Sequence, residues 1–244
     1  MGRRLRALWR LLGLLRLVLS GYATLRLRFA ALTNAEREAR VQDWAQRVLR
    51  TLGIGLVVRG QPADGPVLLT ANHISWLDIV VIHAARHCRF IAKSELQSWP
   101  LVATLAVGAG TLFIERASRR DALRVVHHMA ERLQAGDVLA VFPEGTTGDG
   151  IDVLPFHANL LQAAIAVDAP VQPLALRFVD GASGQTSLQP CYIGDDTLLQ
   201  SLWRTACSEG LQAQLHFGAV QAVAGRDRRR LAADLREAIV ALRG

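Results

Sequence analysis

The sequence predicts an α/β fold, a single mixed-sheet domain with surrounding helices, preceded by an N-terminal amphipathic helical membrane element. Three observations predict it. Short apolar runs of strand length recur along the chain, bounded by glycine, proline and other turn residues. Longer segments with helical spacing and capping signals alternate with them. Several of the strand-like runs end directly in polar stretches, the position at which α/β sheets usually bind their ligands. The 244 residues suffice for one substantial core. With no internal repeat or low-complexity linker, the division falls at residues 1–34, a membrane-associating helical segment, and 35–244, the α/β domain.

Charge separates the two parts. The net charge is +7, yet the first thirty residues hold Arg3, Arg4, Arg6, Arg10, Arg16, Arg26 and Arg28 and no acid; the remaining chain balances at 21 basic and 21 acidic residues. On a helical wheel Arg3, Arg6 and Arg10 share one side, and Leu5, Leu8, Leu12, Leu15 and Leu19 share another. Such a helix lies in a membrane interface and is drawn to anionic lipid. Arg16 interrupts the apolar stretch from Leu11 to Leu25, so no uninterrupted span of about twenty apolar residues exists. It also speaks against a signal peptide, as does the lack of a clean cleavage pattern. An ordinary packed helix is the plain alternative; a basic nucleic-acid arm is disfavoured by the greasy opposite face. Cys88, Cys191 and Cys207 have no CxxC spacing and point to buried thiols in a reducing compartment. His83, His87 and Cys88 lack a second ligand pair with zinc-site spacing.

Taken in order, Thr33 or Asn34 caps a helix from Ala35 to Leu52, followed by a strand within Gly53 to Gly60 and a turn from Gln61 to Gly65. Pro66 to Thr70 reads as a buried strand and Arg89 to Ala92 as another, ending at Lys93, the sole lysine of the chain. Trp99 to Val107 is a short apolar helix, Gly110 to Arg116 a strand, and Ser118 to Leu133 a helix. Val138 to Phe142 is a strand that Pro143 to Gly150 cannot extend. Helix is then expected from Pro155 to Val167 and strand from Pro170 to Phe178. A loop with weak strand character covers Ala182 to Gly194. Helix over residues 196–208, strand from Leu211 to Val220 and a last helix from Asp227 to Leu242 complete the chain.

The stretch Asn72-His73-Ile74-Ser75-Trp76-Leu77-Asp78 follows the first buried strand. Five residues apart on a straight helix, His73 and Asp78 would diverge by roughly 140°. They converge only if His73 lies in the turn and Asp78 in the first helical turn. Ser75 with Asp78 also forms a capping-box-like Ser-x-x-Asp, so the carboxylate has a purely structural reading at a helix N-terminus. On residue types alone both readings stand. Lys93 adds a compact charge suited to phosphate at a neighbouring strand end.

Four blocks occur together and in order: Asn72-His73 to Asp78, Gly110 to Arg116, Phe142-Pro143-Glu144-Gly145-Thr146, and Val171-Gln172-Pro173-Leu174. In order and spacing they resemble the glycerolipid acyltransferase family, of the bacterial 1-acylglycerol-3-phosphate acyltransferase type, over residues from about 43 to 180. The resemblance implies His73 as general base on a glycerol hydroxyl, oriented by Asp78, and substrate-binding roles for Arg116, Lys93, Glu144, Gly145 and Thr146. It implies a lysophospholipid acceptor and acyl-CoA or acyl-carrier protein as donor, with no bound cofactor or metal. With the arginine-rich amphipathic helix and the reduced cysteines, the expected location is the cytoplasmic face of the cell (inner) membrane, peripheral or monotopic, with no nucleic-acid partner. Thr147 departs from the pattern, since the family commonly has arginine there; lyso-ornithine lipid is therefore an alternative acceptor to lysophosphatidate. From other classes, a thioester or lipid hydrolase and a non-catalytic lipid-binding protein are the competing readings, although no Gly-x-Ser-x-Gly elbow is present.

Overall fold

The structure is a computed structural model that describes residues 2–94, 98–114 and 119–244. Among the described residues seven strands form one mixed sheet in the order β1-β7-β6-β2-β5-β3-β4. They are β1 (Gly55–Arg59), β2 (Val67–Ala71), β3 (Arg89–Lys93), β4 (Leu112–Ile114), β5 (Val138–Val141), β6 (Val171–Asp180) and β7 (Leu211–Phe217). The five from β6 through β4 are parallel; β7 pairs antiparallel with β6, and β1 runs parallel to β7.

Among the described residues eight α-helices surround the sheet: α1 (Arg3–Leu27), α2 (Asn34–Leu52), α3 (Leu77–Ala85), α4 (Pro100–Gly108), α5 (Arg119–Gln134), α6 (Gln162–Ala166), α7 (Leu198–Cys207) and α8 (Arg228–Arg243). The strand period of two divides the core. Val67, Leu69 and Ala71 of β2 face one layer with Val48, Leu52, Val81, Ile82 and Ala206 of α2, α3 and α7. Leu68 faces the other, with Met129, Leu133, Ala163, Leu231 and Leu235 of α5, α6 and α8. Covered on both faces, β2 is buried throughout, whereas β7 alternates buried and partly buried residues.

Capping chemistry sets the helix starts. Thr33 closes a full capping box with Glu36 on α2, Thr197 does the same with Gln200 on α7, and Asp227 accepts from Arg229 and Arg230 to start α8. Two expectations are corrected. The expected helix from Pro155 is only a 3₁₀ turn from Ala158 followed by α6, because His157 N–H is drawn to Pro143 O (2.8 Å) and keeps the chain extended. The strand after Leu211 stops at Phe217, where Gly218 turns to donate to Pro173 O. Ser118, expected to cap α5, lies outside the described residues.

The arginines of α1 also depart from expectation. Arg3 donates to Cys207 O (3.0 Å), Arg10 to Ala206 O (2.9 Å) and Ser208 O (2.6 Å), and Arg6 pairs with Glu209. The carbonyls ending α7 have no intrahelical partner and carry the negative end of the helix dipole, so these guanidinium groups turn to them rather than to the outside. Trp44 Nε1 of α2 donates to Leu17 O (3.0 Å) and fixes the middle of the helix. The opposite face, with Leu5, Leu8, Leu12, Leu15 and Leu19, is left exposed. By length and composition α1 is apolar enough to cross a membrane.

Candidate active site

The C-terminal ends of the parallel strands gather the sequence blocks at one edge of the sheet. The chain leaves β2 into Asn72-His73, leaves β5 into Phe142 to Thr146, and ends β3 at Lys93. Arg116 falls outside the described residues, as does the side chain of Lys93.

His73 Nδ1 lies 2.8 Å from Asp78 Oδ2. The imidazole is about one-fifth exposed and the carboxylate fully buried. The same Oδ2 accepts from Ile74 N–H (2.6 Å) and Ser75 N–H (2.9 Å). Asp78 thus gathers the whole turn from residue 73 to 75 around one oxygen. With Nδ1 committed to the carboxylate, the ring nitrogen left for a substrate is Nε2, which has no hydrogen-bond partner among the described residues.

The expected capping role is partly corrected. The helix begins at Leu77 with Trp76 at its N-cap, and Ser75 Oγ accepts from Leu77 N–H (3.3 Å) rather than from Asp78. Asp78 supplies the carboxylate half of the box, and its own N–H bonds to Ser75 O. Its position in the first helical turn is what the convergence with His73 requires.

Glu144 proves to be a brace. It is 4 % exposed, and its two oxygens accept from His73 N–H (2.8 Å) and Leu154 N–H (3.0 Å). Burial pushes this carboxyl above the usual carboxylate range, while the two backbone amides pull it back. Each oxygen therefore already accepts one main-chain N–H, a bracing role that the sequence reading did not assign to Glu144. The loop beyond is held by α8: Arg236 donates to Val153 O and Leu154 O, and Arg243 to Gly150 O.

Gly145 follows with φ of +72°, and its N–H closes a turn onto Phe142 O (3.1 Å). A Cβ there would stand 3.1 Å from the His157 ring in a backbone region that L-residues rarely adopt, so glycine is required. Thr146 is exposed at the tip of this turn. Thr147 Oγ1 donates to Tyr192 O, and Tyr192 N–H bonds to Ile74 O (3.2 Å), tying a remote loop to the His73 turn.

Two contributors had no assigned role in the sequence. Asn72 bonds both ways to Leu176, Nδ2 to its O (3.0 Å) and Oδ1 from its N–H (2.8 Å), continuing the β2–β6 pairing by a side chain. The Phe142 ring stacks on His73, centroids 4.0 Å apart and planes within 9°. Phe90 stacks behind Phe142 at 5.6 Å, and His83 meets Phe90 edge-on at 5.1 Å. Adjacency to His73 is the available sequence signal for Asn72. For Phe142 it is membership of the third block.

A base nitrogen backed by a buried carboxylate, at the strand ends of an α/β sheet, defines a site able to take a proton from a hydroxyl. The chain belongs to the acyltransferase family, whose model matches residues 55–177, and it is an acyltransferase of the glycerolipid type that the four blocks indicate. Among curated relatives, 1-acyl-sn-glycerol-3-phosphate acyltransferase of Neisseria meningitidis is 39 % identical over 210 residues, covering 84 % of this chain and 81 % of that protein. Lyso-ornithine lipid O-acyltransferase of Pseudomonas aeruginosa is 36 % identical over 235 residues, covering 94 % and 89 %. The crystal structure of the 1-acyl-sn-glycerophosphate acyltransferase PlsC from Thermotoga maritima superposes with a TM-score of 0.73 over 99 % of this chain and 96 % of that one. At 20 % identity the last likeness establishes the fold.

Proposed function

We propose that this acyltransferase moves a fatty acyl group from an acyl thioester, acyl-CoA or acyl-carrier protein, to the free hydroxyl of 1-acylglycerol-3-phosphate, giving phosphatidate. The observation that carries the reading is the His73 Nδ1–Asp78 Oδ2 contact of 2.8 Å, with the same oxygen pinned by two backbone amides. His73 Nε2 takes the hydroxyl proton as that oxygen attacks the thioester carbonyl. The new C–O bond forms, the C–S bond breaks, and the proton passes from Nε2 to the departing thiolate. Asp78 holds the tautomer and balances the transient imidazolium. The substrate's own hydroxyl is the nucleophile, so no covalent enzyme intermediate is required. A placed base contributes about 10²–10⁴-fold, with alignment of the two substrates adding to it.

Arg116 and Lys93 are the proposed phosphate partners, a planar fork and a point charge. The exposed leucine face of α1 lies against the cytoplasmic leaflet, where the lysophospholipid's acyl chain resides. A second acceptor is favoured by one observation. Thr147 stands where the family commonly has arginine, and its hydroxyl is spent on Tyr192 O, so no cation occupies that position. Lyso-ornithine lipid, which lacks a phosphate monoester, fits that loss. Acyl transfer from a labelled thioester to each acceptor in parallel tests the choice. Product with lysophosphatidate supports the first reading, and product only with lyso-ornithine lipid replaces it. Thioester loss without lipid product would make the enzyme a hydrolase.

A further inference from the structure

The short helix α4 has a composition and an exposure that do not match. Nothing between Trp99 and Ile114 is charged, and the helix itself is Pro-Leu-Val-Ala-Thr-Leu-Ala-Val-Gly. Such a sequence belongs in a core, yet none of its nine residues is buried. Leu101 and Val102 are exposed, and Val107 (61 %) and the preceding Trp99 (46 %) more so. A contiguous apolar surface of this kind marks an interaction site.

Its neighbour says what covers it. The helix lies along the C-terminal third of α1: a Cβ on Gly21 would come within 3.1 Å of Leu105, and one on Gly108 would collide with Leu25. Both glycines let the two backbones approach closely, so the uncovered residues of α4 stand beside the C-terminal third of α1, whose own exposed row is Leu5, Leu8, Leu12, Leu15 and Leu19. Exposed Arg4 and Arg16 flank that row, exposed Arg26 and Arg28 close its end, and no acid precedes Glu36. An indole stands at each side, Trp9 on α1 and Trp99 before α4. An apolar centre with arginines and tryptophans around it is the pattern of an element seated in a bilayer interface. A second copy of the chain fits poorly, because self-pairing of the row would set Arg4, Arg16, Arg26 and Arg28 against their own counterparts.

We infer that α4 is a second membrane-inserted element, which enters the acyl region of the same leaflet beside α1. The inference rests on the proposed docking of α1 and goes beyond it. Because α4 joins the end of β3, with Lys93, to the start of β4, its insertion fixes that edge of the site at the lipid surface.

The three native cysteines are buried, so single cysteines introduced at exposed positions accept an environment-sensitive fluorophore selectively. Full-length Leu12→Cys, Val102→Cys and, on the exposed face of α5, His127→Cys are labelled and mixed with vesicles of phosphatidylethanolamine and phosphatidylglycerol. The expected result is a blue shift, with quenching by acyl-chain nitroxides, at positions 12 and 102 and none at 127. A response at 12 without one at 102 overturns the inference and leaves the α1 anchor standing. No response at either removes the anchor as well. A shift at 102 that follows protein concentration without vesicles assigns the surface to self-association and likewise overturns it. Independently, Val107→Glu should weaken vesicle partitioning by about tenfold, the effect of withdrawing one valine from the apolar phase. Its kcat with detergent-dispersed substrate should not change; unaltered partitioning counts against the insertion of α4.

Discussion

Replacing Glu144 by glutamine separates two roles for the third block. If Glu144 braces the turn, glutamine keeps one acceptor oxygen but aims an amide N–H at either His73 N–H or Leu154 N–H, now at 2.8 or 3.0 Å from oxygen. One charge-assisted bond is lost, about 1.5–3 kcal/mol, and one buried amide goes unpaired, a further ~1–3 kcal/mol. Removing the charge offsets part of this, because burial already disfavours the ionised form and raises the carboxyl above its usual range. A net loss of about 2 kcal/mol follows, or a Tm lower by roughly 4–8 °C for a chain of this size. The displaced His73 backbone should lower kcat by about 10–100-fold, since small misplacements of a reacting group are costly. The acceptor KM should stay within about twofold, because no binding contact is removed. Thermal unfolding together with steady-state kinetics on lysophosphatidate reads both. A large rise in acceptor KM at unchanged Tm would refute the brace and return Glu144 to the substrate.

Three further outcomes are expected. Asp78→Asn should keep the acceptor KM and lower kcat by about 10³–10⁴-fold, the scale found when a triad carboxylate is neutralised; a loss below tenfold would show that the carboxylate only holds the turn. Among the described residues His83 is buried with no hydrogen-bond partner for either ring nitrogen, and burial, with His87 alongside, pushes it down to about 3. Between its usual value of 6.5 and about 3 the unfolded chain binds the extra proton, so stability falls as pH falls through that window, by about 1.4 kcal/mol per pH unit. His83→Leu should flatten this acid limb in denaturant titrations, and an unchanged limb would assign it to other groups. Arg116→Ala should chiefly raise the KM for a phosphate-bearing acceptor, and an unchanged KM would remove that role.

The parts of this fold that were legible in the sequence are those written in local chemistry. The buried strand at Val67–Ala71 shows as an apolar run, and Thr33 and Asp227 show as caps beside helical spacing. His73 and Asp78 were legible as a pair only through the company of the other blocks, since Ser75-x-x-Asp78 alone reads equally well as a cap. What stayed hidden depends on distant backbone. Glu144 finds its partner 71 residues earlier, and the partner is a main-chain N–H that any residue type supplies. Asn72 likewise meets the Leu176 backbone 104 residues on. Arg3 and Arg10 read as lipid-facing because helical spacing separates them from the leucines. It does not reveal that the open end of α7, nearly 200 residues later, offers them acceptors at bonding distance.

The central claim is that His73 removes the proton from the acceptor hydroxyl. Initial rates of acyl transfer from a labelled acyl thioester to lysophosphatidate, measured for the parent chain and for His73→Ala at matched Tm, test it most directly. A loss of about 10²–10⁴-fold in kcat with acceptor binding retained is the expected result. Full activity in His73→Ala would contradict it.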